Sequence, residues 1–252
     1  MNRVIFGLAA ICGGLMLCGC TAKIEKVDAY KINPNANWAV TPVQRTEELC
    51  IKRHQAIIDC IQKGNVDLIF IGDSITHGWE SAGENVWQQY YAKRNAVNMG
   101  LGGDQTQHAL WRLQNGELAG ISPKLAIVLI GINNSGGDTY TAKQIGEGII
   151  KICQTLRHDL PQTKILILAI FPIDEKPSPR REKNAEASLL ASTIADNKWI
   201  YYMDINDKFL DKDGTLSRDI MPDFLHPSAK GYQIEAEAIE PMVKKLMGEK
   251  GR

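Results

Sequence analysis

Short apolar segments alternate with amphipathic segments along most of the chain. Apolar residues at helical spacing from Cys50 to Ile61 predict a first helix, which Gly64 and Asn65 end. Five later apolar runs have the length of strands, at Val66–Ile71, Ala96–Met99, Leu125–Ile130, Lys164–Phe171 and Trp199–Met203. Helical patterns lie between these runs and after the last, at residues 84–93, 104–115, 140–158, 180–197 and Ser228–Met247.

Several of the strand-length runs are apolar at nearly every position, as in strands that are covered on both faces. Alternation of strands and helices is typical of right-handed crossovers between parallel strands. The sequence therefore predicts an α/β fold, a three-layer α/β/α sandwich around a parallel sheet of about five strands, within residues 44–252. Ligands bind beyond the carboxyl ends of such strands, so the loops there are the candidate positions for functional residues.

The N-terminus has the pattern of a secretory signal. Residues 1–19 carry one charge, Arg3, and an apolar stretch that is short for a membrane span. The stretch ends in Leu17-Cys18-Gly19-Cys20, which resembles a bacterial lipobox. That resemblance implies cleavage before Cys20, lipidation of its thiol, and a protein anchored to a membrane of the bacterial cell envelope, facing the periplasm or the exterior. An uncleaved anchor helix is the alternative. Residues 20–43 are then a tether and a segment that wraps the domain edge.

The charge balance and the cysteines exclude some classes of protein. The chain has 29 basic and 29 acidic residues, so it lacks the basic excess of a general nucleic-acid binder. Cys50 and Cys60 share the first predicted helix and stand about 15 Å apart along it, which is too far for a disulfide. The sequence has no spacing typical of a metal site, and no metal or organic cofactor is expected.

The loops that follow the first three strands carry residues suited to a reaction at a carbonyl group. Ser74, in Gly72-Asp73-Ser74, lies at a tight strand-to-helix turn, where a serine is either a nucleophile or a helix N-cap. The second loop contains Gly100, Gly102 and Gly103, whose N–H groups can donate to an oxyanion; the last glycine of a dinucleotide fingerprint is missing. Asn133, after the third strand, is either an oxyanion donor or a turn residue.

Asp223 and His226 stand three residues apart in the loop before the last helix. His226 is a candidate general base, with Asp223 bound to its other ring nitrogen. His77 lies close enough to Ser74 to line the same site, whereas the remaining histidines are expected to be structural: His54, His108 and His158. A nucleophile, oxyanion donors and a base at the ends of separate strands have the geometry that acyl transfer requires.

Four blocks in this order resemble the SGNH, or GDSL-type, hydrolase family: Gly72-Asp73-Ser74, Gly100–Gly103, Gly131-x-Asn133 and Asp223-x-x-His226. The resemblance spans residues 66–247 and implies a flavodoxin-like fold. It implies Ser74 as nucleophile, His226 as base and Asp223 as its partner. It also implies an oxyanion hole made by the Ser74 N–H, a glycine N–H of the second block and the Asn133 side chain. Two positions depart from the family pattern, since Ile75 replaces leucine and Asn134 replaces aspartate.

A more specific resemblance is to the catalytic subunits of intracellular platelet-activating-factor acetylhydrolase. It rests on Gly102-Gly103-Asp104, Leu110–Leu118 and Arg181-Glu182-Lys183-Asn184. It matches the oxyanion glycine of that subfamily with Gly103. Many bacterial relatives deacetylate sugars, so we expect a serine esterase that removes a small acyl group, such as acetyl, from a carbohydrate. The alternatives are a phospholipid or platelet-activating-factor-like acetylhydrolase or lysophospholipase, and a non-catalytic binding lipoprotein. The subfamily relatives pair, which leaves a homodimer open.

Thr76–Trp87 and Phe171–Arg180 follow strands and are the expected walls of the site. Within the first segment, Trp79 and Trp87 are candidate platforms for a sugar or an acyl chain. Ordinary packing is an equal alternative for both indoles.

Overall fold

The computed structural model describes residues 37–249. The predicted signal segment, the lipidation candidate Cys20 and the tether as far as residue 36 lie outside the described residues. Within 37–249, no helix combines the length and the apolar character needed to cross a bilayer.

Five strands form one sheet in the order β2-β1-β3-β4-β5, and every neighbouring pair is parallel. They are β1 (Leu68–Gly72), β2 (Ala96–Gly100), β3 (Leu125–Leu129), β4 (Lys164–Leu168) and β5 (Ile200–Met203). All residues of β1 and β3 are buried, because helices cover both faces of the sheet. The predicted α/β fold is thus confirmed, and its strand order is that of flavodoxin-like sheets.

Within residues 37–249, seven α-helices surround the sheet: α1 (Glu48–Gln62), α2 (Ser74–His77), α3 (Glu84–Tyr90), α4 (Thr106–Arg112), α5 (Ala142–Asp159), α6 (Pro179–Ser192) and α7 (Ala229–Met247). α5 packs against α4 and α6, and α3 packs against α7, which gives two helical layers with the sheet between them. Cys50 and Cys60 both lie on α1, and neither forms a disulfide.

Local signals explain where the longer helices begin and end. Ser178 caps α6 by accepting from the Arg181 N–H, with Pro179 at the first helical position. Ser228 caps α7 in the same way, and Gly248 ends that helix in a left-handed conformation.

Two predicted elements are shorter than the apolar pattern indicates. β4 ends at Leu168 rather than Phe171 because its partner β5 ends at Met203, which pairs with Leu168. The next residues are buried as a loop, and the Ser188 hydroxyl accepts from the Ile170 N–H at 2.9 Å. α4 ends at Arg112 rather than 115, since Gly116 takes a φ of +112° that no helix allows.

The segment before α1 is packed on the domain. The Asn37 side chain donates to the Gln144 carbonyl at 2.9 Å and to the Glu147 carboxylate at 2.8 Å. Ala39 is completely buried, and its carbonyl accepts from the Thr106 hydroxyl at 2.8 Å. Residues 37–40 therefore pack against α4 and α5.

Candidate active site

The first three strands end at the same level of the sheet, because Gly72 is in register with both Gly100 and Leu129. The loops after β1, β2 and β3 therefore start side by side, where the strand order reverses and ligands of such sheets bind. Gly72 has no room for a side chain, since a Cβ would lie 2.0 Å from the Thr76 hydroxyl and 2.5 Å from the Leu129 carbonyl oxygen.

Ser74 is the first residue of α2, and it does not cap this helix. The cap is Asp73, whose carboxylate accepts from the Ile75 N–H at 3.0 Å. Burial, helped by the nearby Asp104 charge, outweighs the hydrogen bond from the Ile75 N–H and raises the pKa of Asp73 to about 7. Because Asp73 satisfies the helix terminus, the Ser74 hydroxyl is left for another partner, and the N-cap alternative for Ser74 is wrong.

The structure brings Ser74, His226 and Asp223 into one chain of hydrogen bonds. The Ser74 Oγ lies 2.8 Å from the His226 Nε2, and the His226 Nδ1 lies 2.6 Å from the Asp223 Oδ2. An ionised carboxylate only accepts, so Nδ1 carries the proton and Nε2 accepts from the serine hydroxyl. This is the arrangement in which imidazole can remove a proton from Ser74.

The backbone of the same loop holds the Asp223 carboxylate. Its Oδ1 accepts from the N–H groups of His226 at 2.7 Å and Leu225 at 3.1 Å. Partial burial raises the pKa of Asp223, but the hydrogen bonds from the His226 side chain and from the two backbone groups outweigh it. The pKa therefore lies below its ordinary value. Asp223 is ionised at neutral pH and keeps His226 in the required tautomer.

The loop after β2 makes a tight turn beside Ser74. The Leu101 carbonyl accepts from the Asp104 N–H at 3.1 Å, and Gly103 takes a φ of +81° that favours glycine. A Cβ on Gly102 would lie 3.9 Å from that of Ser74. The Gly102 carbonyl accepts from Arg45 Nη1 at 2.6 Å. The C=O and N–H of one trans peptide point in opposite directions, so the Gly103 N–H points away from Arg45.

Asn133 ties the third loop to the second. Its side-chain Nδ2 donates to the Asp104 carbonyl at 2.9 Å, and its own carbonyl accepts from Gln105 Nε2 at 3.1 Å. One amide hydrogen of Asn133 is therefore used in positioning, and the second is available to a ligand. Behind this loop, Arg180 donates to the Ser135 hydroxyl at 3.0 Å and to the Ile132 carbonyl at 2.9 Å.

A buried network of charges supports the second loop, and sequence reasoning did not find it. Asp104 is fully buried between Arg112, at 2.8 Å, and Arg45, at 3.3 Å. Arg112 also pairs with buried Glu117, which lies 2.8 Å from His54 Nδ1. His54 is structural, as predicted. The available signal was the spacing of Asp104, Arg112 and Glu117 along α4 and the turn that follows it.

His108 is structural too, since its Nδ1 accepts from the Gln105 N–H at 3.1 Å at the start of α4.

His77 lies beside the nucleophile Ser74. The two residues line an opening of about 660 Å³ together with Gly78, Glu80 and Ser81. Burial lowers the pKa of His77, and the neighbouring Arg53 charge lowers it further. His77 is therefore uncharged at neutral pH.

The two candidate tryptophan platforms take different positions. Trp79 is 1% exposed and packs between Tyr232, at 4.5 Å between ring centroids, and Tyr91, at 5.3 Å. The prediction of Trp79 as a substrate wall is wrong, because the turn after α2 directs its indole into the core. Trp87 is half-buried and lines a separate groove on the far side of Glu80. In the second expected wall, Phe171 is buried against Phe209.

Within residues 37–249, no three His, Cys, Asp or Glu side chains converge as a metal site would require. What the site holds is a serine hydrogen-bonded to an imidazole, beside a backbone N–H and an amide that can donate to an oxyanion. Such a set of groups can carry out acyl transfer through a covalent intermediate.

Comparison with known proteins places the chain in a family. Residues 70–234 match the model of the GDSL-like Lipase/Acylhydrolase family. The chain is 34% identical over 197 residues to platelet-activating factor acetylhydrolase IB subunit alpha1 of Homo sapiens, an alignment that covers 78% of this chain and 83% of the human one.

Two solved structures share the fold. A GDSL-like lipase from Bacteroides thetaiotaomicron has a TM-score of 0.62 and 18% identity, over 79% of this chain and 99% of that one. Axe2, an acetylxylan esterase from Geobacillus stearothermophilus, has a TM-score of 0.57 and 20% identity, over 73% of this chain and 95% of that one. The chain belongs to the GDSL-like lipase/acylhydrolase family, and the protein is a hydrolase of the esterase type.

Proposed function

We propose that this protein is a serine esterase that removes an acetyl or similarly small acyl group from a carbohydrate. The observation that carries the proposal is the hydrogen-bonded chain from Ser74 through His226 to Asp223, at the carboxyl end of the sheet. A non-catalytic binding role would not require all three groups in hydrogen-bonding geometry.

In the proposed reaction, Ser74 Oγ attacks the ester carbonyl while His226 Nε2 takes the hydroxyl proton. The tetrahedral intermediate collapses, the bond to the alcohol oxygen breaks, and His226 gives its proton to that oxygen. Water then attacks the acyl-enzyme with His226 again acting as base, which releases the acid and restores Ser74. Asp223 stabilises the charged imidazole in both halves of the reaction. The chemistry needs no metal or organic cofactor.

The proposed oxyanion hole consists of the backbone N–H groups of Ser74 and Gly103 and the side-chain N–H of Asn133. Ser74 lies at the N-terminus of α2, where backbone N–H groups have no partner within the helix. Asp104 links the other two donors, since it follows Gly103 in the turn and its carbonyl anchors Asn133. The three donors are fixed before substrate binds, which is the condition for strong stabilisation of a developing negative charge.

The opening beside Ser74 supports a small acyl group and a polar alcohol. Among the described residues, its lining consists of His77, Gly78, Glu80 and Ser81 besides the nucleophile, and none of these has a large apolar side chain. A long acyl chain would require apolar walls. The acetylxylan esterase with the same fold is consistent with a carbohydrate ester as substrate.

A phospholipid acetylhydrolase is the second candidate. The observation in its favour is 34% identity to the human platelet-activating factor acetylhydrolase subunit. Both candidates remove a small acyl group by the same chemistry, so they differ only in the alcohol that is released. Acetate release therefore has to be measured on both kinds of ester.

The experiment compares the full-length protein in detergent with its Ser74→Ala variant on acetylated xylan, acetylated monosaccharides and a 2-acetyl ether phospholipid. We expect serine-dependent acetate release from the carbohydrates. Release from the phospholipid alone would replace the first candidate by the second. Equal release by the wild type and by Ser74→Ala would contradict the serine mechanism itself.

We also propose that the mature protein begins at Cys20 and is held to a membrane of the bacterial cell envelope by lipid on that residue, with the domain facing the periplasm or the exterior. The support is the lipobox-like Leu17-Cys18-Gly19-Cys20 after an apolar stretch. Metabolic labelling with an alkyne fatty acid should mark the wild type and not Cys20→Ser. Equal labelling would contradict the anchor.

The subfamily resemblance leaves a homodimer open. Sedimentation of the purified protein would distinguish a monomer from that homodimer.

A further inference from the structure

We propose that the groove beside Trp87 binds the sugar units that neighbour the acylated one, so that the enzyme prefers oligosaccharide esters to monosaccharide esters. This Trp87 groove has a volume of about 470 Å³, and its lining includes Arg53, Cys60, Glu80, Trp87 and Asn98. The inference rests on the proposed function, because it names the part of the substrate that extends away from Ser74.

The groove adjoins the opening at the nucleophile. Glu80 lines both of them, so the two spaces meet at this side chain. Arg53 also reaches the carboxyl end of β2, where its Nε donates to the Gly100 carbonyl at 3.1 Å. A Cβ on Gly100 would lie 2.3 Å from the His77 backbone nitrogen. The path from Ser74 to Trp87 therefore passes His77 and then the Arg53–Glu80 pair.

Trp87 offers a rigid apolar surface in this groove. The Phe70 ring lies 5.0 Å from the indole and the Tyr91 ring 5.3 Å, both in edge-type contacts that fix its orientation. An indole held by such neighbours loses little freedom when a ligand packs on it. The C–H groups on one face of a sugar ring form an apolar surface that suits a partly exposed indole.

The polar groups of the groove are fixed as well. Arg53 makes a two-pronged ion pair with Glu80, at 2.8 and 2.6 Å, and also donates to the Asn98 carbonyl at 2.9 Å. The Glu80 side chain is 47% exposed, so its carboxylate can still accept from sugar hydroxyls.

The charge of this pair selects the class of ligand. The charges of Arg53 and Glu80 cancel, and the guanidinium is already occupied by a carboxylate. A phosphate would have to displace Glu80 from Arg53, whereas a neutral polyol needs only hydrogen bonds at the edge of the pair. The groove therefore favours a neutral carbohydrate over a phospholipid headgroup.

The test blocks the groove from its rim. Cys60 is exposed on α1, so Cys60→Trp fills the groove without disturbing the core. The full-length wild type and variant are compared on acetylated xylotetraose and on an acetylated xylose. We expect KM for the tetraose to rise about three- to tenfold in Cys60→Trp, with kcat within about twofold, because lost contacts of roughly 1 kcal/mol correspond to that factor. The acetylated xylose does not reach the groove and serves as the internal reference.

Two further measurements make the result decisive. Trp87→Phe should raise KM for the tetraose in the same way. The control is Trp199→Phe, which should leave KM unchanged; it alters a half-buried indole just before β5, covered by Arg157 at 4.6 Å. Calorimetry with unacetylated xylotetraose should show binding to the wild type and weaker binding to Cys60→Trp. The proposed role of the groove would be contradicted by equal KM changes for both substrates, or by xylotetraose binding that Cys60→Trp leaves unchanged. Failure of the proposed function would look different from failure of the groove proposal. Without esterase activity, neither substrate would release acetate, but calorimetry would still show whether the groove binds xylotetraose.

We also infer that Arg45 is a positioning residue for the Gly103 N–H. Arg45 Nη1 holds the Gly102 carbonyl at 2.6 Å and the Asp104 carboxylate at 3.3 Å. Glu47 in turn accepts from Arg45 Nη2 at 3.0 Å. Because the Gly102 carbonyl is fixed toward Arg45, the peptide plane is fixed and the Gly103 N–H faces the opposite side. This inference also rests on the proposed function.

Loss of Arg45 should therefore change kcat more than KM. In Arg45→Ala we expect kcat on the acetylated xylose to fall about 10- to 100-fold with KM within about twofold, since one oxyanion donor is loosened but not removed. Arg45→Lys should recover part of the loss, because an ammonium can satisfy one of the two acceptors. Arg94→Ala breaks ion pairs to Glu240 and Glu249 away from the site, and should lower Tm without lowering kcat. An unchanged kcat in a folded Arg45→Ala, or a lysine variant no better than alanine, would refute the role.

Discussion

Two adjacent asparagines have opposite predicted roles, which makes them a sharp test of the site. Asn133 is half-buried in the loop after β3, and its side-chain Nδ2 donates to the Asp104 carbonyl at 2.9 Å. Asn134 is completely buried and accepts from the Thr106 N–H at 2.9 Å while donating to the Gln107 side chain at 3.1 Å. We predict that Asn133→Ala loses catalysis and keeps stability, and that Asn134→Ala does the reverse.

The magnitudes follow from what each substitution leaves behind. Removing one oxyanion donor lowers kcat about 10²- to 10³-fold, so the kcat of Asn133→Ala should fall by that factor. The substitution also removes the hydrogen bond from Asn133 to the Asp104 carbonyl. Because Asn133 is only half-buried, this loss costs about 1 kcal/mol of folding free energy or less. Asn134→Ala leaves the Thr106 N–H buried without an acceptor and should cost about 2–4 kcal/mol, which lowers Tm by roughly 5–15 °C in a domain of this size.

The assay measures kcat for acetate release at 25 °C and Tm by calorimetry, on the wild type and both variants. Circular dichroism at 25 °C verifies that each variant is folded, so that kcat reports on folded protein. An Asn133→Ala variant with kcat within threefold of the wild type and an unchanged Tm would refute its place in the oxyanion hole. If Asn134→Ala lost as much kcat as Asn133→Ala at 25 °C, the division of roles between the two residues would be refuted.

Three further predictions concern the core. Burial raises the pKa of Glu235 to about 8, from an ordinary 4.5, so the folded state holds its proton where the unfolded state has lost it. Stability should therefore fall as pH rises between these values, by at most about 1.4 kcal/mol per pH unit. Urea unfolding should show a shallower fall for Glu235→Gln, and equal slopes would contradict this. Trp79→Ala should cost about 3–5 kcal/mol, measured in the same way, because it empties a buried site; a loss below 1 kcal/mol would contradict its place in the core. Gly72→Ala should yield little folded protein, since the added Cβ meets the Leu129 carbonyl oxygen at 2.5 Å; a Tm near that of the wild type would contradict that contact.

The fold was predictable because its signals are local. Fully apolar runs such as Leu125–Ile130 indicate strands buried on both faces, and alternation with helices then indicates a parallel sheet. Ends of elements were less predictable. The run Lys164–Phe171 is apolar from Ile165 to its end, yet the strand stops at Leu168, because strand length depends on a partner that lies more than 30 residues further along the chain.

The reacting groups were predictable for a different reason, since four short blocks occur in a fixed order. Three of them follow the first three strands, and the fourth precedes the last helix. Their supports were not predictable. Arg45 and Asp104 are 59 residues apart in sequence and meet only in the folded chain. The choice between a substrate wall and ordinary packing for Trp79 stayed open, because a tryptophan near a nucleophile has the same sequence signal whether it faces ligand or core. The direction of its side chain is set by the turn at Gly78–Glu80, which the sequence does not specify.

The central claim is that Ser74 is a nucleophile activated by His226, and covalent trapping tests it most directly. The full-length protein is incubated with a fluorophosphonate ester, and the adduct is located by mass spectrometry of its peptides. The account predicts one adduct per chain, on Ser74, no adduct in Ser74→Ala and much slower labelling in His226→Ala. An adduct on another residue, or labelling of His226→Ala at the wild-type rate, would contradict it.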